Sequence, residues 1–185
     1  MGWWIPPLLS FNPLKRKIMA CNQTLAGIAK DCLPSMGGIK NVYCANKADI
    51  SGITVTANKI SAITMETSKK FKHYSFIRNN GSLTSNYAID RNNGSQYVTS
   101  DLVLPFSRMD TAKRVEITAL AQNELVVIVE DNNGAFWFLG YDEPVMATAG
   151  DGLTGTARAD RNGYSITLQD NSLEMPYEVD ADIIS

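Results

Sequence analysis

Glu124-Leu125-Val126-Val127-Ile128-Val129-Glu130, a turn through Asn133-Gly134, then Ala135-Phe136-Trp137-Phe138-Leu139-Gly140-Tyr141 is the stretch that decides the fold. Each arm is too short for a typical helix and apolar on both faces, the pattern of a strand covered on two sides. Asn and Gly accept positive φ at low cost, as a type I′ hairpin turn requires. The stretch therefore predicts a central antiparallel hairpin running through the core.

The same turn signal recurs at Asn80-Gly81, Asn93-Gly94 and Asn162-Gly163, so four hairpins are expected. Around the first two, Leu83, Tyr87 and Ile89 share one face of a strand, as do Val98, Leu102, Leu104 and Phe106 with Ser100 among them. Residues 71–106 thus read as a three-stranded meander with Phe71–Arg78 as its first strand. The last turn is expected to join a strand over Gly152–Asp160 to one over Tyr164–Gln169. Ile53–Thr56 and Ile60–Met65 add two β-branched runs separated by Ala57-Asn58-Lys59.

Helix signals are fewer. Asp110 to Asn123 begins with capping residues and carries Ala112, Val115 and Ala119 on one stripe, predicting one packed helix over 110–122. Thr24–Lys30, ended by Pro34 and Gly37-Gly38, predicts a short helical turn. The fold class is mainly β: an antiparallel β-sandwich or partly closed barrel with one packed α-helix.

Composition bounds the rest. A length of 185 residues with 44% hydrophobic and 19% charged residues suits one core and excludes a disordered chain, a collagen or a long coiled coil. Seventeen Lys+Arg against nineteen Asp+Glu give a formal charge of -2, with no excess of cations to neutralise phosphates. Sequence-specific nucleic-acid binding is not expected.

Residues 1–18 place Lys15-Arg16-Lys17 after an apolar stretch broken by Pro6, Pro7 and Pro13. That is the reverse of a signal peptide and too short to span a bilayer. Met19-Ala20-Cys21 reads as a natural start, so residues 1–18 are either leader from a start placed too early or an apolar arm that docks on a neighbouring subunit. No internal boundary is drawn in 19–185.

Candidate chemistry is thin. Cys21, Cys32 and Cys44 are odd in number and show no C-x-x-C spacing, and His73 is the only histidine. These residues make neither a disulfide framework nor a zinc site with close ligand pairs. No nucleophile elbow accompanies His73. Adjacent strand carboxylates such as Asp142-Glu143 point to opposite faces, so their spacing makes no acid–base pair. Asp90–Asp101 has the length of a calcium loop but carries Ser95 at its sixth position and Asp101 at its twelfth, so a hairpin turn accounts for it better. Gly150-Asp151-Gly152-Leu153-Thr154-Gly155 lacks the Lys-Ser/Thr of a phosphate-binding loop and reads as a loop running into a strand. No enzyme activity, cofactor or metal is expected.

One resemblance goes further. Met19-Ala-Cys-Asn-Gln-Thr-Leu-Ala-Gly-Ile-Ala-Lys-Asp-Cys32, Met36-Gly-Gly-Ile39, Ser68-Lys-Lys-Phe71, Arg78-Asn-Asn-Gly-Ser-Leu-Thr-Ser85 and Gly155-Thr-Ala-Arg-Ala-Asp-Arg-Asn-Gly-Tyr164 together resemble a family of small virion proteins of phages and prophages of gut anaerobes. The similarity covers nearly all of 19–185 and leaves out residues 1–18. The element order resembles tail tube proteins, which implies subunits that stack as rings, usually hexameric, around a DNA-conducting channel. It further implies other tail or virion proteins as partners, and a virion location after synthesis in the host cytoplasm. A capsid decoration or head–tail joining protein fits the same facts. A β-sandwich binding carbohydrate through aromatics such as Trp137 and Tyr141 is the reading from another class. The candidate subunit contacts are loop 79–96, with Asn80 and Asn93 in its turns, and helix 110–122, with Lys113 and Arg114.

Overall fold

Among the described residues, 25–77 and 79–184 of a computed structural model, the chain order is β1 (Ile39–Asn46), β2 (Ile50–Thr56), β3 (Lys59–Met65), β4 (Lys72–Tyr74), β5 (Ser82–Asp90), β6 (Ser95–Ser107), α1 (Thr111–Gln122), β7 (Leu125–Asp131), β8 (Phe136–Leu139), β9 (Met146–Leu153), β10 (Gly163–Ser172) and β11 (Tyr177–Val179). All of these lie in a unit spanning Ser35–Ser185. The other unit, Met1–Pro34, is described only from residue 25 and carries no helix or strand there. Gly27 at φ +75 breaks any right-handed turn, so the helical turn expected over Thr24–Lys30 does not form in 25–30. The leader or arm of residues 1–18, its boundary at Met19, and Cys21 lie outside the described residues.

The fold is mainly β, 51% strand and 11% helical, a sandwich-like pair of sheets with one helix and no closed barrel. A seven-stranded sheet has the order β2-β3-β11-β8-β7-β1-β4, and a four-stranded sheet the order β5-β6-β10-β9. β7 sits inside the larger sheet, with Leu125 through Glu130 all buried. Its two faces serve two cores. Leu125, Val127 and Val129 meet Leu102, Leu104, Ile166 and Leu168 of the smaller sheet, while Val126 and Ile128 join Ile60, Phe138 and Val179 on the far side. The expectation of a central hairpin covered twice holds for this pair.

The two sheets cross. β6 and β10 pass the β8 flank at Ser100 and Asp170, where the Gly140 N–H donates to Asp170. At the other end of β6, Tyr74 of β4 packs on Phe106, with ring centroids 6.4 Å apart. β6 therefore runs across the larger sheet from its β8 flank to its β4 flank. In the other direction, Gly81 before β5 lies against Ile39 at one end of β1, and Val145 before β9 bridges to Leu125 at the other.

Three expectations are corrected. The 71–106 meander does not form, because β4 pairs with β1 in the larger sheet and only β5 and β6 make a hairpin. Asn80-Gly81 lies in the crossover between sheets. Gly81 is required there because a Cβ would come within 2.7–2.9 Å of Ile39 and Phe76, and the positive φ falls on Asn79. The last hairpin pairs β10 with β9, not with Gly152–Asp160: Gly150–Leu153 is already strand, and a loop of residues 154–162 follows. Gly163 is needed because a Cβ would run into the Phe106 carbonyl, so Asn162-Gly163 marks a close backbone approach.

The third correction concerns α1. Asp110 caps it as expected, accepting the Lys113 N–H at 2.8 Å. The packed stripe is Ile117 and Leu120, whereas Ala112 and Val115 face solvent. Lys113 Nζ explains the rotation: it donates to the Ser107 and Arg108 carbonyls and to Asp110, which draws that side of the first turn onto the strand end.

The turns also differ in type. Asn93-Gly94 and Asn133-Gly134 do close hairpins, but only the glycine of each has positive φ. At the second, the Asp131 carbonyl accepts from Gly134 N–H and the Ala135 carbonyl from Asp131 N–H, a type I turn followed by a left-handed glycine. Positive φ at both central residues occurs at Ala57-Asn58, between β2 and β3.

Candidate functional site

The sequence-derived contacts fall on three separate elements. Asn80 is exposed in the sheet crossover. Asn93 is at the tip of the β5–β6 hairpin, where its Oδ1 accepts the Ser95 N–H. Lys113 holds the 107–110 turn to the helix, while Arg114 beside it is exposed. The distal half of the β5–β6 hairpin continues the core-facing register beyond the core, so Tyr87 and Ile89 stand exposed on a side that is half-buried at Leu83 and buried at Leu102.

The four-stranded sheet is built on strands without cations, and Arg161 from the 154–162 loop pairs with Asp151 of β9 at 2.6 Å. β5, β6, β9 and β10 contain no lysine and no arginine, and their charges are Asp90, Asp101, Asp151 and Asp170. Ile166 and Leu168 point into the core, so Thr167, Gln169 and Asn171 point outward with Thr99 and Asp101. These side chains bond to one another: Gln169 Nε2 to Asp101 at 2.8 Å, and Thr99 Oγ1 to Asn171 at 3.2 Å. Among the described residues no strand pairs with either edge of this sheet, and neither edge strand, β5 or β9, has the lysine or proline that usually guards an edge.

A cavity of about 310 Å³ opens between α1, β1 and the 66–72 segment. Cys44, Ala119, Leu120 and Leu125 make its apolar floor; Lys69, Lys70 and Lys72 stand at its rim. Tyr74 O–H donates to Glu116 at 2.6 Å, and Lys69 pairs with Asp49 at 3.1 Å. Burial, with the Glu116 charge beside it, pushes the Cys44 thiol up to about 12, so it is an inert packing group. Cys32 is free and exposed.

A second polar cluster lies at the β8 flank. Asp170 is 2% exposed, and burial pushes its carboxyl up to about 6; the Gly140 N–H and Lys47 oppose the rise, and Asp142 adds to it. Lys47 Nζ donates to the Gly140 and Tyr141 carbonyls, and burial lowers its pKa against the pull of Asp170 and Asp142. At Glu130, burial acts to raise the pKa, and bonds from Lys40 and Asn41 outweigh it and hold the carboxyl low.

His73 bonds to Asn41 at 3.0 Å and lies on the Tyr43 ring, and among the described residues no nucleophile or carboxylate is bonded to it. Among the described residues, no group of three or more His, Cys, Asp or Glu is placed to hold a metal. Among them, too, no helix is long and apolar enough to cross a membrane. Trp137 is half-buried against the core, with its indole N–H donated to Asp131, and Tyr141 packs on Tyr177. No protein-family model, no curated protein and no solved structure matches the chain.

Proposed function

We propose that this chain is a non-enzymatic structural protein of a phage virion, a tail tube subunit. It self-assembles head-to-tail into rings, hexameric by the resemblance, that stack around a DNA-conducting channel. The observation that carries this reading is the four-stranded sheet with two unguarded edges and no cation on its strands. Its order is antiparallel throughout, so a rotated copy presents its β5 antiparallel to β9 and extends the ladder. Repetition of that step closes a ring whose lining is largely Ser, Thr, Asn, Gln and Asp, with Tyr97, Val103 and Pro105 of β6 among them. The strands of such a lining supply no cation, and the guanidinium that reaches them, Arg161, is neutralised by Asp151 of β9 at 2.6 Å, so phosphates meet little positive charge and DNA can slide.

The tube reading assigns the open edges a use; a decoration or joining protein would share the open-edged sheet without needing a cation-free face. The carbohydrate reading is disfavoured by the packing of the Trp137 ring against the core. Negative-stain microscopy of concentrated protein is the test. Rings or tubes with a central channel are expected. A persistent monomer at every concentration, with saturable binding to a glycan array, would overturn the proposal.

A further inference from the structure

We infer that the rim-basic cavity beneath α1 is the socket of a ring-stacking contact, and that its occupant is the acidic, apolar-tipped pair of loops 141–144 and 173–176 of a second copy. The inference rests on the ring reading above. It follows from where the register places these features. Cys44 is paired with Lys72 and Asn46 with Leu125, so the cavity lies at the Leu125 end of the larger sheet on its β1–β4 flank. Tyr177 is paired with Phe138, and Leu139 with Val127, so both loops lie at the same end on the β8–β11 flank.

The crossing of the sheets converts that offset into an axial one. If rings close through β5 and β9, the ring circumference runs across the smaller sheet, and the channel axis follows β6. β6 runs from the β8 flank to the β4 flank. Loops and cavity are therefore on opposite faces of the ring, and translation along the axis brings the loops of one copy toward the cavity of the next. A heterologous contact of this kind is open-ended and builds a tube.

The chemistry of the two surfaces matches. Lys69 and Asp49 satisfy each other and Tyr74 engages Glu116, which leaves Lys70 and Lys72 without an acidic partner among the described residues. On the loops, Glu143 is exposed and likewise unpaired among them, and Asp142, which accepts the Leu173 N–H, adds a second negative charge. Leu173 is 62% exposed and Met175 38%. These give an aliphatic anchor for the apolar floor, ringed by carboxylates for the lysines.

The test uses the full chain and negative-stain microscopy, with circular dichroism and melting to show that each variant is folded. Lys70→Glu with Lys72→Glu, and separately Glu143→Lys with Leu173→Ser, should form single rings that no longer stack. Glu143→Lys combined with Lys70→Glu and Lys72→Glu should restore tubes by exchanging the charges. Tubes of wild-type length from the socket variant, or loss of the rings themselves, would overturn the stacking assignment while leaving ring formation intact for the wild type. Absence of rings from the wild-type chain would overturn both.

Discussion

Asp170→Asn should stabilise the protein at neutral pH and do nothing at low pH. Asp170 is 2% exposed on β10, and burial pushes its carboxyl up to about 6, well above the ordinary carboxylate range. A carboxyl that binds its proton more tightly in the folded state contributes stability fully below the unfolded value, and that contribution is lost as pH rises through about 6. A shift of about two units corresponds to about 3 kcal/mol between pH 4 and pH 8. Asparagine is neutral at every pH and its Oδ1 still accepts the Gly140 N–H, so it escapes the loss. Lys47 opposes part of the gain, because removing the Asp170 charge leaves Asp142 as the carboxylate that supports it. The expected gain at pH 8 is therefore about 1–3 kcal/mol, shrinking to near zero at pH 4. Urea unfolding of both proteins at pH 4, 6 and 8 measures it, since groups outside the Asp170, Asp142 and Lys47 cluster titrate alike in the two. A stability difference that is flat with pH, or a loss at pH 8, would refute the desolvation argument.

Val127 is fully buried on β7, and Val127→Asp should cost several kcal/mol; a melting point within a degree or two of wild type would mean that β7 is not the core strand. Gly163→Ala should cost more than about 2 kcal/mol, because its Cβ meets the Phe106 carbonyl, whereas Gly94→Ala, with open space around it and only φ +73 to strain it, should cost about 1. In a Cys21→Ser background, a thiol reagent should modify Cys32 at once and Cys44 only after unfolding; rapid reaction of both would contradict the burial of Cys44.

The legible parts of the fold were those fixed by local pattern. Val126 to Val129 need cover on two sides in any fold, and that reading located the middle of the larger sheet. β1 was missed because Lys40 and Asn41 break its apolar pattern. Both are there for Glu130, about ninety residues away, whose buried carboxylate they bond at 2.6 Å, and no local period can show such a pairing. Asn80-Gly81 misled because a glycine demanded by close approach to Ile39 looks the same in sequence as one demanded by a turn. The run Lys69-Lys70-x-Lys72 was visible, but the cavity behind it exists only once α1 lies over β1.

The formal charge of -2 is the small remainder of a segregated distribution. Lys40, Lys59 and Lys72 lie on strands of the larger sheet, and Lys47, Lys69, Lys70, Arg91, Arg108, Lys113, Arg114, Arg158 and Arg161 lie on helices or in loops, with Arg91 in the β5–β6 turn and Arg161 paired to Asp151 of β9. The four strands of the smaller sheet hold only aspartates. Charges more than about 10 Å apart are screened from each other at physiological salt, so a phosphate near that face feels its local lining and not the chain average. Head-to-tail closure in the proposed ring would repeat Asp101 around the lumen while keeping the lysines away from it. Hydrogen bonding of Asp101 to Gln169 and of Thr99 to Asn171 also ties up the side chains that would otherwise reach for phosphate oxygens. A surface that binds nothing is a positive requirement of a conduit, because each lysine added to it would hold DNA through counterion release and slow its passage.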